Sequence, residues 1–293
     1  MLLKSSLIFG LLAVLTGLLV TQASASTRSA GCSKPASITS GTYNVTIDGI
    51  PRQYTVRVPE GYRHTKANKV VLSLHWFGGT VQDLITGANK YGNGSYYGLV
   101  PYGGDSTIFV APQGIDNGWM NANGDDLSLI DRIIEAVDNG LCVDTTKRYA
   151  VGFSFGGSMA YAIANTRGKT FRAVAILSGN DFTPFAGATV PVSVYVQHGV
   201  SDPGVNNPIT QGRSMRDHFL QVNGCESKTA KEPAAGSGTH IKTEYKMCSS
   251  GKVVTYVAFD GVHQYSPMDA GSATSWVPSE IWKFFTSSPR LCE

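Results

Sequence analysis

Short β-branched and apolar runs, separated by polar or amphipathic stretches, set the pattern of this chain from Thr42 onward. Within Thr42 to Val58, polar and apolar positions alternate on either side of Asp48-Gly49, which predicts a β-hairpin with a tight turn. The runs that follow are continuous rather than alternating: Val70 to Leu74, Thr107 to Ala111, Arg148 to Gly152, Ala173 to Leu177, Val192 to Gln197 and Val253 to Phe259. Strands apolar on both faces belong in a sheet covered on both sides, the usual setting of parallel strands. Helical patterns separate several of them. In Asp125 to Asn139, Leu127, Ile130, Ile133, Ile134 and Val137 fall on one face, and Gly140 is a stop signal. Ser275 to Thr286 brings Trp276, Ile281, Trp282 and Phe285 to one side, read as core. Strands alternating with helices predict an α/β class: a mainly parallel central sheet flanked by helices, with an N-terminal hairpin.

The residues ahead of the hairpin read differently. Lys4, the apolar run Leu7 to Val20 and Ala23-Ser24-Ala25 before Ser26 have the order of a secretory signal peptide and its cleavage site. The apolar run is short for a membrane span and ends in small polar residues. The expected organisation is a removed leader, residues 1–25, and a single domain over 26–293, with no linker or internal repeat. Secretion changes the meaning of the five cysteines, Cys32, Cys142, Cys225, Cys248 and Cys292. An odd number leaves one thiol over. Cys225 and Cys248 flank the polar excursion Glu226 to Met247 and are the first pairing expected; Cys32 with Cys142 is the second, and connectivity stays open. No Cys-x-x-Cys or zinc-like spacing occurs, so neither metal nor cofactor is expected. Asn44-Val45-Thr46 and Asn93-Gly94-Ser95 are glycosylation sequons, and Asn93 is the better acceptor because Asn44 falls in a predicted strand. A formal charge of +3, with no basic run interleaved with aromatics, argues against nucleic acid; no membrane or protein partner is implied.

Candidate chemistry centres on Ala150-Val151-Gly152-Phe153-Ser154-Phe155-Gly156-Gly157. An apolar strand runs into Gly-x-Ser-x-Gly and a helix-forming stretch, Ser158 to Thr166, follows at once. That is the form of a nucleophile elbow, in which small residues two before and two after the serine tolerate a crowded turn. It points to the α/β-hydrolase fold, where acid and base follow the serine in the order Ser, Asp or Glu, His. Asp202, after the strand ending Gln197-His198-Gly199, is the expected acid, with Asp181 the runner-up. His263, in the exit loop Asp260-Gly261-Val262-His263 of the last strand, is the expected base. His64 and His240 lie in polar loops, His218 on a surface helix and His198 just before the acid. One oxyanion donor is expected from the N–H of Phe155. The second is expected from Leu74-His75-Trp76-Phe77-Gly78-Gly79, which resembles the His-Gly-Gly-Gly loop of esterases with Trp76 where glycine is usual. The donor there is the N–H of Phe77, with Trp76 the alternative.

With these motifs placed, the chain resembles the secreted feruloyl esterases of fungi, in the carbohydrate esterase family that also contains acetyl xylan esterases. It is similar, more distantly, to polyhydroxybutyrate depolymerase-like esterases. The resemblance runs from about Cys32 to Phe285. It rests on Leu74-His75-Trp76, Val110-Ala111-Pro112-Gln113-Gly114, Gly118-Trp119, Leu141-Cys142-Val143-Asp144, the elbow, Gln197-His198-Gly199 with Asp202, Asn223-Gly224-Cys225, Gly238-Thr239-His240, Phe259 to His263 and Trp276-Val277-Pro278. It implies cleavage of ferulate and related hydroxycinnamates from feruloylated arabinoxylan or pectin fragments, with Ser154, Asp202 and His263 in the triad roles. It also implies a substrate-binding place for Trp119, which could equally fill core, and Trp76 beside it favours a large acyl group. A departure concerns the cysteine pair near the elbow helix in the family; Asn165 and Phe185 occupy that region here. The alternatives are an acetyl xylan esterase or polyester depolymerase on the same machinery, a serine peptidase, and a non-catalytic carbohydrate-binding protein on a hydrolase scaffold. The last usually lacks a triad position.

Overall fold

The computed structural model describes residues 27–89, 91–203 and 208–289; the leader expected over 1–25 and Cys292 lie outside them. In chain order the strands are β1 (Gly41–Ile47), β2 (Ile50–Arg57), β3 (Asn68–Leu74), β4 (Ala88–Asn89), β5 (Gly92–Asn93), β6 (Thr107–Pro112), β7 (Val143–Phe153), β8 (Ala173–Leu177), β9 (Ser193–Gly199), β10 (His240–Tyr245) and β11 (Val254–Phe259). The helices are α1 (Val81–Thr86), α2 (Ser95–Gly98), α3 (Val100–Gly103), α4 (Asp125–Gly140), α5 (Phe155–Thr166), α6 (Ile209–Asn223) and α7 (Val277–Ser287). Strands β4 and β5 pair only with each other, and the rest form a nine-stranded sheet in the order β1-β2-β6-β3-β7-β8-β9-β11-β10.

The continuous apolar runs form the parallel centre, β6, β3, β7, β8, β9 and β11. Every position of β6, β8, β9 and β11 is buried, as a sheet covered on both faces requires. Alternate residues feed two cores. Val70, Leu72, Ala150, Val174 and Val194 pack with the apolar faces of α4, α5 and α6. Val71, Val151, Ala175, Tyr195 and Val257 pack on the opposite side with α1, α2 and α7. Each fully buried Ile, Leu or Phe contributes about 1.5–3 kcal/mol. The hairpin β1–β2 turns at Asp48 and Gly49 with φ of 49° and 81°, the positive values that a two-residue turn of this kind needs.

One strand differs from expectation. The segment Glu226 to Met247 reads as a polar excursion, with His240 in a loop, yet it contains β10, antiparallel to β11 at the sheet edge. Thr243 and Tyr245 point inward while Lys242 is exposed, so no apolar run marks it. An edge strand need bury only alternate positions, and charged residues on it discourage pairing with another chain. Lys242 instead reaches Glu280 of α7 at 2.5 Å.

Both expected disulfides are present. Cys32–Cys142 ties the lead-in to the start of β7 across a separation of 110 residues, and Cys225–Cys248 closes one of 23. By loop-closure entropy these contribute about 4.7 and 3 kcal/mol, respectively. Where a cysteine bridge was missed near the elbow helix, buried Asn165 accepts from Thr189 Oγ1 (2.9 Å) and His218 Nε2 (2.7 Å), joining three segments by hydrogen bonds. No helix among the described residues is long and apolar enough to cross a membrane.

Candidate active site

Strand β7 ends at Phe153 and α5 begins at Phe155, so the chain reverses direction at Ser154 alone. Ser154 takes φ 57° and ψ −120°, a conformation an L-residue adopts only when its surroundings enforce it. The surroundings are backbone. A Cβ at Gly152 would lie 2.0 Å from the Gly156 carbonyl oxygen, and one at Gly156 would lie 2.1 Å from that of Leu74. Ser154 N–H donates to the Leu177 carbonyl (2.9 Å), which ties the turn to β8. The spacing of the motif therefore has a steric cause at each glycine.

The exit loops of β9 and β11 converge on this turn. His263 Nε2 lies 2.8 Å from Ser154 Oγ, and His263 Nδ1 lies 2.7 Å from Asp202 Oδ2. The tautomer that satisfies both contacts carries its proton on Nδ1 and accepts the serine hydroxyl at Nε2. The Asp202 side chain is fully enclosed, with His198 Nε2 at 3.6 Å from the same oxygen. Backbone bonds Val200 N–H to Phe259 O (2.9 Å) and Ser201 N–H to Gly261 O (3.1 Å) lock the acid loop to the histidine loop. Around the imidazole, Phe153 lies 4.7 Å away and Tyr91 stands edge-on at 6.2 Å. Asp181 is exposed, and His263 Nδ1 is directed to Asp202 instead. His240 faces Asp269 and stacks on Trp276, and His218 faces Asn165, both away from Ser154.

Beyond its close backbone contact with Gly156, the loop after β3 is held by side chains. His75 is fully buried; its Nδ1 donates to its neighbour's carbonyl, Trp76 O (2.9 Å), while Nε2 accepts from Gly114 N–H (2.9 Å) and Gln113 Nε2 (3.1 Å). Burial pushes the imidazole pKa down to about 4, so it is neutral near pH 7 and both roles are available. Trp76 O also accepts from Gly79 N–H (3.0 Å). A trans peptide carries its N–H opposite its carbonyl, so the inward Trp76 carbonyl turns the Phe77 N–H away from His75. That N–H has no acceptor among the described residues. Phe77 and Phe155, the two residues expected to donate, have ring centroids 6.1 Å apart, and a Cβ at Gly118 would touch both rings.

Sequence comparison gives the family. The chain is 40% identical over 275 residues to a probable feruloyl esterase C of Aspergillus terreus, covering 94% of this chain and 96% of that one. It is 38% identical over 262 residues to feruloyl esterase D of Neurospora crassa, covering 88% and 90%. The chain belongs to the fungal feruloyl esterases. No protein-family model matches it. Among solved structures, an acetyl xylan esterase from Aspergillus awamori superposes with a TM-score of 0.56 at 14% identity, covering 84% of this chain and 99% of that one. With the nine-stranded, mostly parallel sheet, that likeness makes the fold an α/β-hydrolase.

Within this esterase, one expected binding residue is corrected. Trp119 has no exposed surface: its Nε1 donates to the His75 carbonyl (2.7 Å) and its ring packs on the His75 imidazole at 4.7 Å. It supports the loop after β3 and offers no face to a ligand. Trp76 is 7% exposed, enclosed by Tyr91, Phe153 and Tyr265. The apolar surface beside the elbow comes from other residues. Phe77 is 70% exposed, Met120 66% and Phe182 47%. Their loops are stitched together by Gly78 N–H to Asn117 O (2.8 Å), Thr183 Oγ1 to Trp119 O (2.9 Å) and Asn121 Nδ2 to Pro184 O (2.6 Å). Asp126 anchors the same region: it accepts from Asn121 N–H (2.8 Å) and pairs with buried Arg52 at 2.5 Å. Tyr91, Gln113 and Tyr97, whose hydroxyl donates to Leu74 O (2.5 Å), were not singled out as site residues. Gln113 stood inside a recognised block; Tyr91 and Tyr97 carry no local signal at all. Among the described residues, no group of three or more His, Cys, Asp or Glu side chains could hold a metal ion.

Proposed function

We propose that this protein is a secreted serine esterase that releases ferulate and related hydroxycinnamates from plant cell-wall polysaccharide. The observation that carries the reading is the continuous Ser154–His263–Asp202 chain of hydrogen bonds opening beside an exposed aromatic shelf. In the first step Ser154 Oγ attacks the ester carbonyl carbon while His263 Nε2 takes its proton, and Asp202 stabilises the imidazolium. The N–H groups of Phe155 and Phe77 receive the charge that develops on the carbonyl oxygen. The tetrahedral intermediate collapses, His263 protonates the departing sugar oxygen, and the acyl group remains on Ser154. Water, deprotonated by His263, then attacks the acyl-enzyme; the acyl–Oγ bond breaks, His263 returns the proton to Ser154 Oγ, and the acid is freed.

Substrate choice in this reading rests on the shelf. A phenylpropenoid ring needs apolar area, and Phe77, Phe155, Met120 and Phe182 supply it, whereas acetate needs only a small slot. Both disulfides are consistent with an oxidising, secretory route in which residues 1–25 are removed and 26–293 act as one catalytic domain. Asn44, exposed on edge strand β1, is open to glycosylation. Hydrolysis of methyl ferulate beside 4-nitrophenyl acetate tests the proposal. The expected result is a clear preference for ferulate in kcat/KM; efficient acetate turnover without ferulate would move the activity to that of an acetyl xylan esterase.

A further inference from the structure

Three loops build the site, and one buried tyrosine reaches all three. Around α2 the backbone takes positive φ at Gly94 (102°), Tyr96 (50°), Tyr97 (60°) and Gly98 (75°). Glycine adopts such values freely, whereas two consecutive tyrosines do so only under strain held by their surroundings. Strain of this kind gathers where a side chain must be aimed. Here the aimed side chain is that of Tyr97, which is fully enclosed. Its hydroxyl donates to the Leu74 carbonyl (2.5 Å) and accepts from the Phe153 N–H (3.3 Å). Leu74 ends β3, just before His75-Trp76-Phe77, and Phe153 ends β7, just before Ser154. The Tyr97 ring meets Tyr265 edge-on at 4.9 Å. Tyr265 lies two residues beyond His263 and packs in turn on Phe153 and Trp76.

The place of that hydroxyl in the sheet gives it a task. Strands β3 and β7 pair in parallel as far as Leu74 and Gly152. Beyond that pair the two chains part, one into the oxyanion loop and the other into the elbow. The Tyr97 hydroxyl stands at the parting and uses both its donor and an acceptor position to hold the two strand ends. Burial pushes the phenol pKa well above its ordinary value of 10, so the donor is kept across the neutral range. The expected oxyanion donors, the N–H groups of Phe77 and Phe155, lie three and two residues past the atoms that Tyr97 holds. A misplacement of about 1 Å at a reacting centre can cost about 10²-fold in rate. We propose that Tyr97 is a positioning residue for the reaction: its hydroxyl sets the separation of the oxyanion loop and the elbow, and its ring steadies the His263 loop through Tyr265. The proposal rests on the esterase reading above and names what aligns its catalytic groups.

Tyr97→Phe tests it, since this change removes the hydroxyl and keeps the ring. On both methyl ferulate and 4-nitrophenyl acetate, kcat should fall about tenfold or more by the same factor, with KM changed less than about twofold. Equal losses on a large and a small acyl group place the defect at the reacting centre and not in the acyl pocket. Affinity for a boronic acid that forms a tetrahedral adduct on Ser154 should weaken by the same factor as kcat, while free ferulate binds as before. Tyr96→Phe alters the same strained turn and should leave kcat unchanged. All rates are compared well below each unfolding midpoint, so that lost stability alone does not enter. A Tyr97→Phe enzyme with a lowered midpoint and wild-type kcat would reduce the hydroxyl to a structural tie and overturn the proposal. A loss carried by KM, or an equal fall in kcat for Tyr96→Phe, would overturn it as well. Failure of the wild type to cleave either ester would instead remove the esterase reading, and the positioning role with it.

Discussion

The two loops that meet over Ser154 are held in place by different physics. The elbow is fixed by backbone contacts: Gly152 and Gly156 let the carbonyl oxygens of Gly156 and Leu74 approach so closely that no side chain fits, and the turn hydrogen-bonds to the adjacent strand β8. The loop after β3 shares that contact at Leu74 and His75 and adds a set of side-chain supports. Its peptide planes are set by His75, and His75 in turn is set by Gly114, Gln113 and Trp119, all from the exit of β6. One element is set by backbone contacts with the two neighbouring strands, and the other also needs a small side-chain assembly recruited from the exit of β6. The nucleophile side should therefore fail abruptly when its chemistry is removed, and the oxyanion side by degrees when its supports are.

The largest effect expected away from the nucleophile is at the base. His263→Ala should lower kcat on methyl ferulate by about 10⁴–10⁶-fold. Next comes the acid: Asp202→Asn should cost about 10⁴-fold in kcat through the wrong imidazole tautomer, while Asp181→Asn leaves turnover unchanged. Reversal of that order would transfer the acid role to Asp181. His75→Ala should then cost about 10²-fold in kcat with KM little altered, because it loosens a donor used mainly in the transition state. A loss confined to KM would show that the His75 assembly shapes binding and not the oxyanion site.

The smallest effect concerns stability. The His75 pKa is lowered from 6.5 to about 4 by burial, so the folded state holds the ring neutral where the unfolded chain would protonate it. Its contribution is fully present above pH 6.5 and is lost as pH falls through about 4. Thermal unfolding of the wild type should weaken across that window, and His75→Gln should show a shallower acid dependence. The same slope in both proteins would detach His75 from the acid response.

The difference between the two loops also explains what could be read before any coordinates were available. The elbow, its strand and helix, and the meeting of Asp202 and His263 at Ser154 were legible because each follows a strand whose apolar run is unmistakable, and the order Ser, Asp, His fixes which strand exit to inspect. The hairpin, the parallel centre and both disulfide pairings followed from patterning and cysteine placement. Strand β10 did not, because His240 to Tyr245 buries only alternate positions at an edge. The resemblance left Trp119 between ligand and core, because an indole in a loop beside the elbow has the same local sequence whether its ring faces in or out. Only the His75 carbonyl, distant in the chain, decides that it faces in. Tyr91 was invisible for a similar reason: its ring stands edge-on to His263, a residue far away in the chain.

The central claim is that Ser154, poised by His263 and Asp202, attacks hydroxycinnamoyl esters. Its most direct test is hydrolysis of methyl ferulate by the secreted wild type beside Ser154→Ala, with matched thermal unfolding to show that both are folded. The account predicts ready turnover by the wild type and a loss of about 10⁶-fold in kcat for the variant. Turnover that survives in folded Ser154→Ala would contradict it.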